Sequence, residues 1–129
     1  MVDERLTDGV RIAQLLASEV TGDHGRLRAL DVKDADPDID PTPDGAFAYA
    51  LVADGERLAE AYVQPDRLRL EFRVGPDVVA DAATKAGLRV RPKAVRPPRT
   101  LVFVESGAQV KRARQALEAA LGATSGSEA

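Results

Sequence analysis

The sequence predicts a single α+β domain: a mainly antiparallel sheet of five or six strands with three helices, in the order α-β-β-β-β-α-β-β-α. Three observations carry this. Residues 46–74 alternate in polarity around two turn signals, Asp54-Gly55 and Gln64-Pro65-Asp66. Residues 7–21 and 106–121 place apolar side chains at a 3.6-residue period. The most apolar run, Leu101 to Val104, follows a basic connector stiffened by Pro92, Pro97 and Pro98, as a strand buried on both faces would.

Each element follows from local chemistry. Thr7 or Asp8 caps a first helix over 7–21, with one stripe of Ile12, Leu15, Leu16 and Glu19 and a second of Leu6, Val10, Ala13, Ala17 and Val20. Gly22 ends it, and His24 falls in a loop. Leu27–Lys33 reads as a weak first strand. Residues 34–45, D-A-D-P-D-I-D-P-T-P-D-G, are a loop, because proline removes donors and pushes its predecessor to extended geometry. Ala46–Ala53, Glu56–Val63 and Arg67–Val74 are strands, and Asp-Gly is a strong two-residue hairpin turn. Pro76 opens a short alanine-rich helix and Gly87 lies past its end. Leu88–Arg91 and Arg99–Glu105 are strands flanking the connector. Ser106-Gly107-Ala108-Gln109 fits a capping box, and the third helix runs to about Leu121 with Val110, Ala113, Leu117, Ala120 and Leu121 inward. The expected domain is 1–121, with 122–129 a frayed tail.

If the two turns fix the register, Phe47 stands opposite Tyr62, Tyr49 opposite Glu60 and Leu51 opposite Leu58. Leu68, Leu70 and Phe72 then continue an apolar face that also holds Glu60. The other face becomes a floor of Ala46, Ala48, Ala50, Ala59 and Ala61 with Val52 and Val63, bordered by Arg67, Arg69, Glu71 and Arg73.

At 129 residues the chain fits one domain, and 44% apolar residues suffice for one core. No cysteine is present, which excludes disulfides and thiolate metal sites and fits a reducing compartment. The first residues, M-V-D-E-R-L-T-D-G, hold no apolar signal core, and no run approaches the roughly 18 residues that span a bilayer. The expected location is the cytoplasm, with no membrane partner. Asp outnumbers Glu (13 to 8) and Arg outnumbers Lys (14 to 4), which leans toward a salt-adapted surface. The net charge of −3 is split: residues 1–66 carry 15 acids and 6 bases, residues 67–129 carry 6 acids and 12 bases.

L-T-D-G-V-R-I-A-Q-L-L-A-S-E, P-D-G-A-F-A-Y-A and A-G-L-R-V-R-P-K-A-V-R-P-P-R-T-L-V-F-V-E resemble a family of small conserved haloarchaeal proteins with no assigned function. The resemblance spans nearly the whole chain. It implies a salt-rich cytoplasm and transfers no catalytic residue. The element order is also similar to that of class I type III secretion chaperones, which are dimeric protein-binding folds, although the extra first strand departs from it.

Most catalytic patterns fail. Alternating Asp34, Asp36, Asp38 and Asp40 suggest a calcium loop, but counting from Asp36 puts Pro41 and Phe47 where an EF-hand needs Gly and Glu. The expectation is a hydrated acidic loop. His24 is the single histidine, and Val104 and Ala108 replace the glycines a nucleophile elbow at Ser106 needs. No phosphate-cradling glycine motif exists, so no cofactor is expected. The start of the third helix, near Lys111 and Arg99, could hold an anion. Glu60 is a polar misfit on the core face, to be read as a rim residue or as a carboxylate with raised pKa.

The strongest candidate site is basic: Arg67, Arg69, Arg73, Arg89, Arg91, Lys93, Arg96, Arg99, Lys111 and Arg112, with Arg114 beside them. With Phe47, Tyr49, Tyr62 and Phe72 all turned to the core, no aromatic is left to stack a base. The leading expectation is therefore a non-enzymatic protein-interaction module, a homodimer or a protein's partner, using the alanine floor or the acidic loop. The first helix covering that floor within one chain is the plainer reading. The competing functions are a nucleic-acid binder using the arginines and a small enzyme or ligand binder around Glu60.

Overall fold

A computed structural model describes residues 8–22 and 25–126. Among them are three α-helices and six strands in the expected order. These are α1 (Gly9–Thr21), β1 (Asp31–Lys33), β2 (Ala46–Ala53), β3 (Glu56–Gln64), β4 (Arg67–Phe72), α2 (Pro76–Lys85), β5 (Arg89–Lys93), β6 (Arg99–Val104) and α3 (Gln109–Gly126). Asp8 caps α1 by accepting from the Arg11 N–H at 3.1 Å. Asp54 and Gly55 both take positive φ, as a tight hairpin turn demands. Gln109 reaches back to accept from the Glu105 N–H at 2.8 Å. Thr7, Leu6 and His24 lie outside the described residues.

Three boundaries differ from expectation. Residues 26–29 form a 3₁₀ turn rather than the start of a strand, so β1 is only three residues long. The buried pair Leu27 and Leu30 has the three-residue spacing of that turn, not the alternation of a strand. Strand β5 extends to Lys93 and so absorbs part of the connector. Helix α3 continues to Gly126, past the expected end near Leu121.

The sheet order is β1-β2-β3-β4-β6-β5, with every neighbouring pair antiparallel. The Phe47–Tyr62 pairing is as expected, but the register then shifts between Phe47 and Tyr49 and again between Leu51 and Val52. Ala48 is the extra residue at the first shift and Leu58 at the second. Tyr49 therefore pairs with Ala61, and Leu51 with Ala59. A one-residue bulge reverses which face the following side chains reach. Strand β3 also runs one residue further than expected, so Gln64 pairs with Arg67, and Tyr62 and Glu60 fall beside Arg69 and Glu71. Together these shifts overturn the expected faces. Tyr49, Leu51, Ala59, Ala61, Leu70 and Phe72 share the helix-covered core, whereas Phe47, Tyr62 and Glu60 stand on the opposite face.

All three helices pack on one side. Helix α1 lies against β3 and β4, α2 against β5 and β6, and α3 against α1, α2 and β6. The expected alanine floor is divided: Ala48, Ala59 and Ala61 join Ile12, Ala13, Leu16 and Val20 of α1 in one buried cluster, whereas Ala50 stands beside Glu60 on the other face. The Tyr49 hydroxyl donates to the Ala13 carbonyl at 2.7 Å, and burial pushes its pKa far above the ordinary value. Small residues let α1 approach closely. The Gly9 N–H donates to the Pro65 carbonyl, and a β-carbon at Gly9 would collide with the Gln64 carbonyl oxygen. Most of the floor that motivated a dimer is thus used by the first helix, and the other side of the sheet carries no helix among the described residues.

Candidate functional site

The helix-free face is organised in rows, because paired residues of neighbouring strands lie side by side on one surface. One row runs Phe47 (β2), Tyr62 (β3), Arg69 (β4), Phe103 (β6) and Arg89 (β5). The next runs Lys33 (β1), Ala50 (β2), Glu60 (β3), Glu71 (β4), Leu101 (β6) and Arg91 (β5). A third brings Lys93 opposite Arg99, with Arg57 and Arg73 reaching the same carboxylates from β3 and from the end of β4. Arg67 and Glu105 stand on the far side of the ring row. Nine cations thus share this face with four carboxylates, Asp31, Glu60, Glu71 and Glu105.

Glu60 and Glu71 are the buried floor of this surface. They are cross-strand neighbours, at 7% and 3% exposure. Two adjacent carboxylates would repel, so cations must hold them. Arg99 Nη1 bridges the pair, 3.4 Å from Glu60 and 3.2 Å from Glu71. Arg57 at 2.8 Å and Arg73 at 3.7 Å complete Glu60. Lys93 and Arg69, each at 3.2 Å, complete Glu71. Burial pushes the Glu71 carboxyl up, but donation from Lys93 and Arg99 and the charge of Arg69 outweigh it and hold it below its ordinary value. Glu60 is therefore neither a rim residue nor a core-face acid. It is a buried anchor under guanidinium groups. The Tyr62 hydroxyl donates to it at 3.2 Å, and burial, then the two glutamate charges, raise the Tyr62 pKa.

The arginines also cover the rings. Arg67 lies over Phe103 with its guanidinium carbon 4.2 Å from the centroid, Arg69 over Tyr62 at 4.9 Å and Arg57 over Phe47 at 5.6 Å. Phe47 and Tyr62 also meet edge to face at 5.8 Å. Phe103 is buried yet lies outside the helix-side core; its cover is arginine. Arg69 is held further by the Asp44 carbonyl at 2.9 Å, and its plane rests on Gly45, where a side chain would crowd it. Its Nε is buried without an acceptor.

The expected basic set divides. Arg67, Arg69, Arg73, Arg89, Arg91, Lys93 and Arg99 share the helix-free face, and Arg96 extends it along the connector. Lys111 and Arg112 lie on the helix layer, lining a groove with Leu15, Glu19 and Gly107. Arg99 sits at the opposite end of β6 on the other face, so it cannot join an anion site at the start of α3. Arg57 and Lys33 belong to the face and were missed, as were the rings of Phe47, Tyr62 and Phe103. The bulges at Ala48 and Leu58 and the two-residue turn at Pro65-Asp66 separate the expected arrangement from the real one. Of the four aromatics expected in the core, Tyr49 and Phe72 lie there, and Phe47 and Tyr62 do not.

The acidic loop pairs with its own sheet. Asp34 meets Arg57, and the Pro43 carbonyl accepts from Gln64 at 2.7 Å. Asp36 accepts from the Asp38 N–H at 2.9 Å. Among the described residues, no three His, Cys, Asp or Glu side chains converge as a metal site. No described helix is long and apolar enough to cross a membrane.

Residues 1–129 match the model of a protein family described as a family of unknown function, DUF7993. No curated protein and no solved structure matches the chain.

Proposed function

The chain belongs to this family of unknown function, and from its geometry we propose a non-enzymatic binding protein whose helix-free sheet face takes nucleic acid. One observation carries the reading: nine cations and three aromatic rings share a sheet face that no described helix covers. Arginine suits phosphate, because its planar donors match phosphate oxygens two at a time. Cations outnumber carboxylates on this face by nine to four, so the chain is dipolar despite its net charge of −3. That dipole would orient a polyanion onto the arginine side.

Catalysis finds less support. Glu71 is held low by its cations, which suits an anchor and not a proton donor near neutral pH. A protein partner or a second copy remains the competing occupant of the same face. Its support is weaker, because α1 covers Ala48, Ala59 and Ala61 within the chain. We also assign the chain to a salt-rich cytoplasm, on its resemblance to haloarchaeal proteins. Phosphate contacts weaken steeply there, so a functional surface needs a term that salt does not screen.

The test is fluorescence anisotropy with labelled RNA and DNA oligonucleotides, titrated from low to high potassium chloride. Binding at low salt with a log–log slope of about −3, the value for four or five phosphates on a single strand, supports the reading. No binding at any salt, with light scattering showing a dimer, would give the face to a second copy.

A further inference from the structure

Resting on the nucleic-acid reading, we propose that Phe47, Tyr62 and Phe103 form a base-stacking row for single strands. Arg57, Arg69 and Arg67 are removable caps that move from ring to phosphate when a base arrives.

The row is a geometric consequence of the ladder. Phe47, Tyr62, Arg69, Phe103 and Arg89 are successive cross-strand partners, so they form one line across five strands. Four inter-strand steps of about 4.8 Å make that line about 19 Å long. A platform of two or three rings on an open antiparallel sheet suits splayed bases of a single strand. In a duplex the bases are already paired and stacked, and its grooves admit a helix or a two-stranded ribbon, not a face five strands wide.

Each cap gives up an ion pair when it moves: Arg67 that with Glu105, Arg57 those with Asp34 and Glu60, and Arg69 that with Glu71. The Arg67 and Arg57 side chains are 30% and 37% exposed. Arg69 is the most firmly held, 16% exposed with Glu71 at 3.2 Å and the Asp44 carbonyl at 2.9 Å, although its Nε is buried without an acceptor. A guanidinium over a half-exposed ring is a weaker contact than a base stacked on it. Exchange needs stacking and the new phosphate contact together to outweigh the ion pairs given up, and the displaced guanidinium stays within reach of the adjoining phosphate. Stacking is also the term that salt leaves largely intact, whereas phosphate contact is not.

Exposure limits the row in the free state. Phe103 is 4% exposed, so its ring is available only after Arg67 moves. Phe47 and Tyr62 are half-buried and need less movement. Binding should accordingly change the surroundings of Tyr62. Tyr49, the other tyrosine, is buried on the opposite side and is a constant background.

The experiment compares three labelled ligands of equal length: a base-bearing single strand, an abasic strand of the same charge, and a duplex. Wild type is compared with Phe47→Leu and with Phe47→Leu plus Phe103→Leu, which keep apolar bulk and remove the π-face. The expected result is wild-type preference for the base-bearing strand, quenching of tyrosine emission on binding, and about a tenfold loss in the double variant. Abasic affinity stays unchanged between proteins. Circular dichroism checks folding, and Phe47→Leu alone gives the readout if the double variant does not fold. Equal wild-type affinity for all three ligands would overturn the stacking row while leaving a polyanion surface. A wild-type dimer that dissociates on Phe47→Leu would assign the rings to a face-to-face second copy and overturn it too.

Discussion

The Arg67 guanidinium lies over the Phe103 ring, 4.2 Å from its centroid, and is held there by Gln64 at 2.9 Å and Glu105 at 3.3 Å. The ring is buried, yet no helix covers it. Its cover is one flexible, charged side chain. Removing the ring and removing the cover should therefore differ in cost. Phe103→Ala should lose about 3 kcal/mol, as buried aromatic truncations do. Arg67→Ala should lose about 1 kcal/mol, a half-exposed cation–π contact with some packing. Urea titration followed by circular dichroism compares them. Equal losses would show that the arginine, not the sheet, holds the ring in place.

Much of this fold is legible in the sequence, and the reason lies in its turns. Asp54-Gly55 fixes one hairpin because both residues must take positive φ. Pro76 fixes the start of α2 because its missing N–H costs nothing there. What stayed hidden was register: two bulges and the length of one turn. Ala48 looks like any other alanine in an alternating strand, and its bulge leaves no composition signal. It sends Tyr49 to the core and leaves Phe47 on the other face. The turn hid a second such step: Gln64 pairs with Arg67, so only Pro65 and Asp66 lie between the strands, and Tyr62 and Glu60 meet Arg69 and Glu71 instead of joining Leu68 and Leu70. The 3₁₀ turn at Leu27 was hidden for a similar reason: two leucines three apart fit several short structures. The candidate site depended on parity, which is the part of a strand that local chemistry specifies least.

Glu71 makes a pH prediction with a definite sign. Its folded carboxyl titrates below the ordinary value of 4.5, because Lys93, Arg99 and Arg69 hold the charged form against the effect of burial. As pH falls, the unfolded chain takes up the proton first. The stabilisation is therefore complete above about pH 5 and is lost as acidity increases below it. Glu71→Gln should cost about 2 kcal/mol near neutral pH, the worth of charged hydrogen bonds. It should also flatten the loss of stability between about pH 5 and about pH 3. Denaturation midpoints across that range decide it; parallel curves for the two proteins would mean that Glu71 is not the group responsible.

Two glycines should respond oppositely to alanine. At Gly9 a β-carbon would collide with the Gln64 carbonyl oxygen and come within 2.8 Å of the Arg67 carbonyl oxygen. Neither backbone atom can move without disturbing the turn between β3 and β4. Gly9→Ala should destabilise by about 2 kcal/mol despite the better helix propensity of alanine. Gly122 is exposed on α3 with open space around it, so Gly122→Ala should stabilise by about 0.5–1 kcal/mol. Thermal melts of both variants check the pair. A neutral Gly9→Ala would mean that α1 seats less closely on the sheet than its backbone contacts indicate.

Arg91 and Arg96 separate binding from stability. Both are exposed, and neither has a carboxylate partner among the described residues. Replacing both by alanine should change stability by no more than about 0.5 kcal/mol. If they contact phosphates, the same change should make the salt slope shallower by about 1.4, since each contact on a single strand contributes about 0.7. Affinity at low salt should fall with it. Lys111→Ala with Arg112→Ala removes two equally exposed cations from the helix layer, beside Leu15 and Glu19, and should leave both slope and affinity unchanged. Charge alone cannot separate these variants, because each loses two positive charges. Only position distinguishes them. A slope that follows the α3 pair and ignores the Arg91–Arg96 pair would place the polyanion on the helices and remove the sheet face from the mechanism.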